Sequence, residues 1–286
     1  MRSSVIPKIA CVALALGTVA QGTSILGIDW FTGQLLNINS STGTTANIGS
    51  TGMIEPVGIA FSPGGTLYGL DEQTNNLYTI NPATGASTLV STISIFQLIE
   101  GDIAFSSNGT LYGVQDYHLG ELQLFTINTS TGATTDVGPI IGAPTDNDLS
   151  AMAFDSSGNL WVYDQGASEL YTISTSTGAI LTSVDLSVTG TGHVAGMSFA
   201  PNGTLYLATG QGIEDLYTVN TGTGVMTLVG ATGANVSGLA FAPTSSAVPE
   251  PTTLLLTLTG AGIIAAGLVR RRRASNAAPD SREKLH

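Results

Sequence analysis

Short apolar runs separated by turn residues dominate the central part of the chain. Each run is a few residues long, is rich in β-branched and aromatic side chains, and is bounded by Gly, Asn, Ser or Pro. Such runs predict β-strands joined by tight turns, because this composition suits a pleated, half-buried surface. The stretch GIAFSPGGTLYGLDEQTNNLYTINPATGASTLV, which begins at Gly58, contains four such runs and therefore predicts four strands.

The same four-run pattern recurs further along the chain. Copies begin at Asp102, Ala151 and Gly196. The phenylalanines that end the first run of each copy lie 42 to 49 residues apart: Phe61, Phe105, Phe154, Phe199 and Phe241. A period of this length with four strands per unit is typical of a β-propeller blade.

The two ends of the repeat region complement each other. Residues 25–49 match the last three runs of a unit and lack the first, whereas residues 238–243 supply that first run and nothing after it. Joined, they complete a fifth unit, and sharing strands between the termini removes the open sheet edges of a linear array. The sequence therefore predicts an all-β, five-bladed β-propeller with four-stranded blades, closed by strands from both ends.

Two recurrent patterns are typical of the fold itself. The motif N/S-x-x-T-G occurs five times, ending at Gly43, Gly85, Gly132, Gly178 and Gly224. It predicts a hairpin turn between the third and fourth strands, with the glycine at positive φ and the Asn or Ser bound to nearby amides. In the first strand, large residues flank a small one, a pattern that suits blades stacked face to face.

The charge distribution excludes one class of partner. All eight Lys and Arg residues lie before residue 23 or after residue 247, whereas 17 of the 20 acidic residues lie between those limits. A domain without cationic side chains does not neutralise phosphates, so nucleic acid is excluded as a partner. The acidic surface is consistent either with solubility through self-repulsion or with affinity for cations such as calcium.

One register position at the predicted axis collects polar side chains. The residues six places before the phenylalanines are Glu55, Ile99, Asp148, His193 and Asn235, and Glu100 and Asp102 lie beside the apolar exception. Carboxylate, amide and imidazole groups suit a divalent metal or a sugar. We expect Glu55, Glu100, Asp148, His193 and Asn235 to bind a calcium ion. Because histidine is a poor calcium ligand, zinc or manganese is the alternative ion. A ring of solvated polar loops is the alternative that needs no ligand.

Three acidic residues share another register position, at the end of the second strand. They are Asp29, Asp71 and Asp164. We expect their carboxylates to accept hydrogen bonds from loop amides, with calcium binding as the alternative.

An apolar segment follows the repeat region. Residues 252–269 carry no charge and, as a helix, measure about 27 Å, which matches the hydrocarbon thickness of a bilayer. Arg270, Arg271, Arg272 and Arg273 follow directly, which marks that end as cytoplasmic. The segment therefore predicts a C-terminal transmembrane helix, followed by a short cytoplasmic tail over residues 274–286.

The N-terminal 22 residues are typical of a secretory signal peptide. Arg2 and Lys8 precede an apolar run, and small residues occur at Ala20 and Gly22, as signal peptidase requires. The only cysteine, Cys11, lies inside this segment, so the mature chain has no disulfide. Residues 23–247 are then the propeller domain.

The residues that join the propeller to the apolar span form a distinctive motif. Val248, Pro249, Glu250 and Pro251 stand directly before the span, and the arginine cluster stands directly after it. This arrangement over residues 248–273 resembles the PEP-CTERM sorting signal of Gram-negative bacteria. The resemblance implies export, an inner-membrane anchor with the propeller in the periplasm, recognition by an exosortase, and transfer to the cell surface or the extracellular space.

Proteins with this sorting signal accompany exopolysaccharide production and biofilms. We therefore expect a surface or matrix protein whose propeller is a scaffold or a binding module for polysaccharide. The alternative is a metal-dependent lactonase-like or lyase-like enzyme that acts on sugars at the axis, because gluconolactonase-type propellers hold an axial metal. Near-identical blades favour the first interpretation, and no G-x-S-x-G motif occurs. A Ser-His-Asp site in the propeller would need His118 or His193.

Overall fold

The computed structural model describes residues 25–94, 99–116, 122–142, 149–189 and 194–243. Within these ranges all regular secondary structure is β-strand. The strands, in chain order, are β1 (Ile25–Asp29), β2 (Gln34–Ile38), β3 (Thr45–Ser50), β4 (Pro56–Phe61), β5 (Leu67–Asp71), β6 (Asn76–Ile80), β7 (Ser87–Thr92), β8 (Ile99–Phe105), β9 (Leu111–Asp116), β10 (Gln123–Ile127), β11 (Thr134–Pro139), β12 (Leu149–Phe154), β13 (Leu160–Asp164), β14 (Glu169–Ile173), β15 (Ile180–Asp185), β16 (Val194–Phe199), β17 (Leu205–Gly210), β18 (Asp215–Val219), β19 (Met226–Ala231) and β20 (Val236–Phe241).

These strands form five antiparallel sheets of four strands, which are the blades of a propeller. The first blade has the order β20-β1-β2-β3, and the second to fifth blades contain β4 to β7, β8 to β11, β12 to β15 and β16 to β19. The strands β20, β4, β8, β12 and β16 contact one another in a ring, so they are the inner strands around the axis. The predicted five-bladed propeller with four-stranded blades is confirmed.

The first blade closes the propeller with strands from both ends of the repeat region. β20 pairs antiparallel with β1, and Ile25 lies opposite Phe241. At the end of the paired strands, Asp29 Oδ2 accepts a hydrogen bond from Asn235 N at 3.0 Å, and the Asn235 carbonyl accepts one from Trp30 N at 2.8 Å. The predicted strand sharing is therefore confirmed, and hydrogen bonds beyond the sheet ladder support it.

Hydrophobic cores lie between neighbouring blades. In β4, Ile59 and Phe61 flank Ala60, and the same large-small-large pattern ends the other inner strands. One buried cluster joins Leu26 of the first blade to Ile59 and Leu67 of the second, with Phe61 packed against it. Each blade thus buries its apolar face only by contact with the next, which couples the stability of all five.

Aromatic pairs stabilise four of the five blade interfaces. In each pair, a phenylalanine at the end of one inner strand packs on an aromatic residue in the second strand of the preceding blade. The pairs and their ring-centroid distances are Tyr68–Phe105 at 5.3 Å, Tyr112–Phe154 at 5.4 Å, Trp161–Phe199 at 6.4 Å and Tyr206–Phe241 at 5.5 Å. At the fifth interface, Leu26 takes the place of the second-strand aromatic residue.

The inner strands approach each other closely three residues before each phenylalanine. A Cβ atom on Gly196 would lie 2.7 Å from Gly238 Cα, and one on Gly238 would lie 3.0 Å from Gly58 Cα. The fourth blade has Ala151 at this position, and the third blade has Asp102. Backbone-to-backbone contact therefore demands very small residues here, with one exception.

The five N/S-x-x-T-G turns adopt the predicted geometry. Their glycines have φ between 68° and 78°. The leading Asn or Ser accepts a hydrogen bond from the amide two residues on, as Asn81 Oδ1 does from Ala83 N at 2.9 Å. The turns also have a second role, since a Cβ atom on Gly85 would lie 2.5 Å from the carbonyl oxygen of Gly49 in the preceding blade.

The predicted targeting segments at both ends of the chain lie outside the described residues. At the N-terminus this is the signal peptide over residues 1–22. At the C-terminus these are the sorting motif at 248–251, the apolar span at 252–269, the arginine cluster at 270–273 and the tail at 274–286. The described residues contain no helix of the length and apolarity that crossing a membrane requires.

We expect Gly85→Ala to destabilise the fold more than Gly65→Ala. Both glycines have positive φ, which costs an L-residue about 1 to 2 kcal/mol. A Cβ atom on Gly65 would meet nothing within 4 Å, whereas one on Gly85 would overlap the preceding blade. Chemical denaturation should show a free energy of unfolding lower by at least about 1 kcal/mol for Gly85→Ala than for Gly65→Ala. Equal losses would contradict a role for these turns in blade packing.

Candidate functional site at the propeller axis

The predicted ring of polar loop residues is described only in part. Glu55 and Asn235 lie within the described ranges, whereas Asp148 and His193 lie outside them. For Glu100 the structure describes the backbone, at the start of β8. The expectation that these five residues share a ligand therefore stays a prediction.

The two described members of the ring bind local partners. Glu55 Oε1 accepts a hydrogen bond from Gln73 Nε2 at 3.2 Å, and Asn235 Oδ1 accepts one from Gln211 N at 2.6 Å. Asn235 thereby links the start of β20 to the loop after β17 in the neighbouring blade. Within the part of the chain that the structure describes, no three acidic, histidine or cysteine side chains are grouped as metal ligands would be.

The aspartates at the end of the second strand bind loop amides, as the sequence indicated. Asp71 Oδ1 accepts hydrogen bonds from the amide and the hydroxyl of Thr74, both at 3.0 Å, and Oδ2 accepts one from Ile54 N at 2.6 Å. Asp29 and Asp164 likewise accept hydrogen bonds from the amide three residues on. All three are buried. They fix the turn after the second strand in the first, second and fourth blades.

Asp102 is the unusual polar residue of the inner strands. Its side chain is only 2 % exposed. Oδ1 accepts a hydrogen bond from Ile103 N at 2.7 Å, and Oδ2 accepts one from Met152 N of the next blade, also at 2.7 Å. Gly58 of the preceding blade leaves the space that the carboxylate fills, because a Cβ atom there would overlap Oδ1. The carboxylate thus lies among three inner strands.

Burial raises the pKa of Asp102 well above its usual range, because the ionised form loses its hydration. The hydrogen bonds from Met152 and Ile103 lower this pKa, but by less than burial raises it. None of the described residues is a Lys or Arg, so no basic side chain in that part of the chain neutralises the carboxylate. Among the described residues, this desolvated acid therefore has no Lys or Arg partner.

The five inner strands enclose a cavity on the axis. Its free space measures about 420 Å³, part of it open to solvent. It is lined by the last three residues of every inner strand: Ile59, Ala60, Phe61, Ile103, Ala104, Phe105, Met152, Ala153, Phe154, Met197, Ser198, Phe199, Leu239, Ala240 and Phe241. Asp102 directly precedes this lining, so its carboxylate lies beside the end of the cavity remote from the phenylalanines.

The other end of the cavity is surrounded by aromatic side chains. We call the four pairs Tyr68–Phe105, Tyr112–Phe154, Trp161–Phe199 and Tyr206–Phe241 the aromatic collar. The phenylalanines line the cavity, and the Tyr and Trp residues pack on them. Every member except Phe241 is half-buried and so keeps part of its ring in contact with solvent.

The orientation of Trp161 in the collar is fixed by hydrogen bonding. Asp155 Oδ2 accepts one hydrogen bond from Trp161 Nε1 at 3.0 Å and another from Asn159 Nδ2 at 2.8 Å. Burial acts to raise the pKa of Asp155, but hydrogen bonds from Trp161, Asn159 and Ser157 together outweigh it and lower the pKa. The turn between β12 and β13 thus holds the indole in place.

Sequence comparison relates part of the chain to a known repeat. Residues 103–244 match a family described as a repeat of unknown function, DUF6923. This range begins in β8 and covers most of the third blade, the fourth and fifth blades, and β20. No curated protein sequence matches the chain.

Solved structures of similar shape include several bacterial proteins. A protein of unknown function from Bacteroides thetaiotaomicron is 16% identical over 72% of this chain and 55% of its own, with a TM-score of 0.51. A gluconolactonase from Xanthomonas campestris is 14% identical over 76% of this chain and 79% of its own, with a TM-score of 0.49. A virginiamycin B lyase from Staphylococcus aureus is 13% identical over 73% and 71%, with a TM-score of 0.45. At these identities, likeness extends to the fold alone.

We expect acid to release Trp161 at a pH below the usual pKa of aspartate, about 3.9. The pKa of Asp155 is lowered by folding, so its stabilising contribution is present above the unfolded value and is lost as pH falls through the folded one. Tryptophan fluorescence should change with a midpoint below pH 3.9, and Asp155→Asn should abolish this transition. A midpoint at or above that value would contradict the hydrogen-bonded arrangement.

Proposed function

We propose that the chain is an exported β-propeller that binds neutral polysaccharide of the cell envelope at the aromatic collar. The observation that carries the proposal is the arrangement of half-buried aromatic rings around the mouth of the axial cavity. Ligand sites commonly combine such apolar walls with a few polar groups that fix orientation.

The chemistry of the collar suits a sugar ring. A pyranose has apolar C–H faces and a rim of hydroxyl groups, so it needs a flat apolar surface beside hydrogen-bonding groups. Tyr68, Tyr112, Trp161 and Tyr206 supply aromatic faces, and tyrosine hydroxyls supply polar tips. The inner strands have no partner on their axial edge, so backbone N–H and C=O groups face the cavity, where they can bind sugar hydroxyls.

The charge of the domain narrows the class of ligand. The described residues carry carboxylates and no Lys or Arg, so their electrostatic field repels anionic polymers. Uronic-acid or sulfated polysaccharides would therefore need a bridging cation to bind. A neutral polysaccharide meets no such barrier, and nucleic acid remains excluded.

The export part of the proposal rests on the two ends of the sequence. A signal peptide over residues 1–22 and the VPEP motif before the apolar span support passage through the inner membrane and sorting by an exosortase. In this interpretation the propeller first faces the periplasm and then reaches the surface or the extracellular matrix. Its partners are signal peptidase, the exosortase and polysaccharide.

We expect Trp161→Leu to weaken polysaccharide binding about tenfold, equivalent to about 1.4 kcal/mol. Leucine is the residue that the first blade has at this register position, Leu26, so blade packing is retained. Calorimetric titration with dextran, mannan and β-glucan would measure the affinity of the wild type and of the variant, and in the wild type the fluorescence of Trp161 would report binding as well. Tyr112→Leu should weaken binding too, as measured by calorimetry.

The control variant is Phe31→Ala, which removes an aromatic side chain that is 60 % exposed and lies outside the collar. It should bind polysaccharide as the wild-type chain does. The proposal is wrong if no neutral polysaccharide binds, or if the collar variants bind as tightly as Phe31→Ala while remaining folded.

A separate prediction concerns sorting. Mass spectrometry of the surface-exposed protein should find no peptide that contains Arg270 to Arg273, because exosortase processing removes the segment after the VPEP motif. The membrane-bound precursor should retain these peptides. Detection of intact 248–273 peptides in the surface form would instead indicate permanent anchoring.

A further inference from the structure

We propose that the axial cavity holds a hard cation, with calcium as the preferred ion, bound by backbone carbonyl oxygens of the inner strands and balanced in charge by Asp102. This site differs from the loop ring predicted from the sequence. It lies between the inner strands, at the residues that directly follow the positions where neighbouring blades approach most closely. Its ligands come mainly from the backbone.

The hydrogen bonds of Asp102 show which way the inner strands present their backbone. The N–H groups of Ile103 and Met152 point to the carboxylate. In an antiparallel strand the N–H and C=O of one residue point to the same side. The carbonyls of Ile103 and Met152 therefore face the axis as well, and they lie further along each strand, towards the cavity.

The repeat extends this arrangement to every blade. Ile59, Met197 and Leu239 occupy the register position of Ile103 and Met152 and line the same cavity. Five carbonyl oxygens, one from each inner strand, thus converge at one level of the axis. A ring of oxygen atoms around a narrow axis is a ligand set for a hard cation.

A buried acidic side chain lies beside the ring of carbonyls. Asp102 is only 2 % exposed and accepts hydrogen bonds from the amides of Ile103 and Met152, two of the residues whose carbonyls form the ring. No Lys or Arg lies between residues 23 and 247, so neither residue type in the domain competes with a cation for this side chain. A carboxyl group beside a ring of carbonyl oxygens adds an oxygen donor of the kind that calcium prefers.

The ligand chemistry selects among cations. The backbone carbonyls supply oxygen ligands, and so does the hydroxyl of Ser198, which lines the cavity where the other four inner strands have alanine. Oxygen-only sites with loose geometry favour calcium over zinc, which prefers nitrogen and sulfur. Calcium is also favoured over magnesium, because magnesium demands a rigid octahedron and gives up its water reluctantly.

The test is a series of thermal melts of the purified full-length chain in EGTA and in rising calcium, at constant sodium chloride. The wild-type melting temperature should rise with the logarithm of calcium concentration once the site fills, because the ion binds only the folded state. Asp102→Ala should show no such rise. Alanine occupies this register position in the fourth blade, as Ala151, so the variant keeps a residue that the fold accepts.

Three further variants make the result specific. Asp136→Ala removes an exposed acid with the same change in net charge and should keep the calcium effect. Glu55→Gln, in the loop ring, should keep it too. Asp102→Gly introduces the glycine that the second, fifth and first blades have at this position, and it should lose the calcium effect. This variant replaces Asp102→Ala in the test if Asp102→Ala does not fold.

Native mass spectrometry should find one calcium ion per wild-type chain and none in Asp102→Ala. The proposal fails if calcium leaves the wild-type melt unchanged, if Asp102→Ala and Asp102→Gly respond as the wild type does, or if Asp136→Ala loses the response. Loss of the response in Glu55→Gln would place the ion in the loops instead. Trp161→Leu should keep the calcium effect, so this proposal and polysaccharide binding are tested independently.

Discussion

Close contact between the inner strands is the constraint on which the rest of the structure depends. Gly196, Gly238 and Gly58 bring neighbouring strands so near that a Cβ atom would touch the next backbone. Blades packed this tightly leave a narrow axis, and the larger residues of each inner strand must then fill the space between blades further out. The large-small-large ends of the inner strands and the aromatic pairs follow from that geometry, because they complete the packing that glycine permits.

The same constraint determines what the axis can contain. Innermost strands have a partner on one edge only, so half of their backbone groups point to the centre and need a partner there. At the level of the glycines the third blade meets this need with a side chain, since Asp102 accepts hydrogen bonds from two axial amides. At the level of the cavity, Phe241 N donates a hydrogen bond to Ser198 Oγ at 3.4 Å, and backbone carbonyls are acceptors for water, ions or ligand. The polar character of the axis is thus a consequence of the strand arrangement and does not require polar side chains.

The sequence predicted the parts of the fold that recur at a fixed spacing. The period, the strand count and the complementary ends gave the blade number and the closure, and N/S-x-x-T-G gave the turn. The role of Asp102 was missed, because its partner Met152 lies 50 residues away in another blade and depends on how the blades are aligned. One signal was present: an acidic residue at a register position that is otherwise glycine or alanine. The loop ring, in contrast, was predicted by counting six residues back from each phenylalanine into loops of unequal length. In such loops, residues at the same place in the repeat need not lie at equivalent positions in space.

A repeat protein reveals its specific features where one copy departs from the others. Most positions of the five blades are alike, because each blade contacts its neighbours through the same residues. A substitution in one blade makes that blade's interface differ from the others. Asp102 and Ser198 depart from Gly or Ala, and Trp161 departs from Tyr, in three different blades. All three lie at the cavity or pack on a residue that lines it. We propose that these three departures, which meet at one place, serve a ligand at the axis.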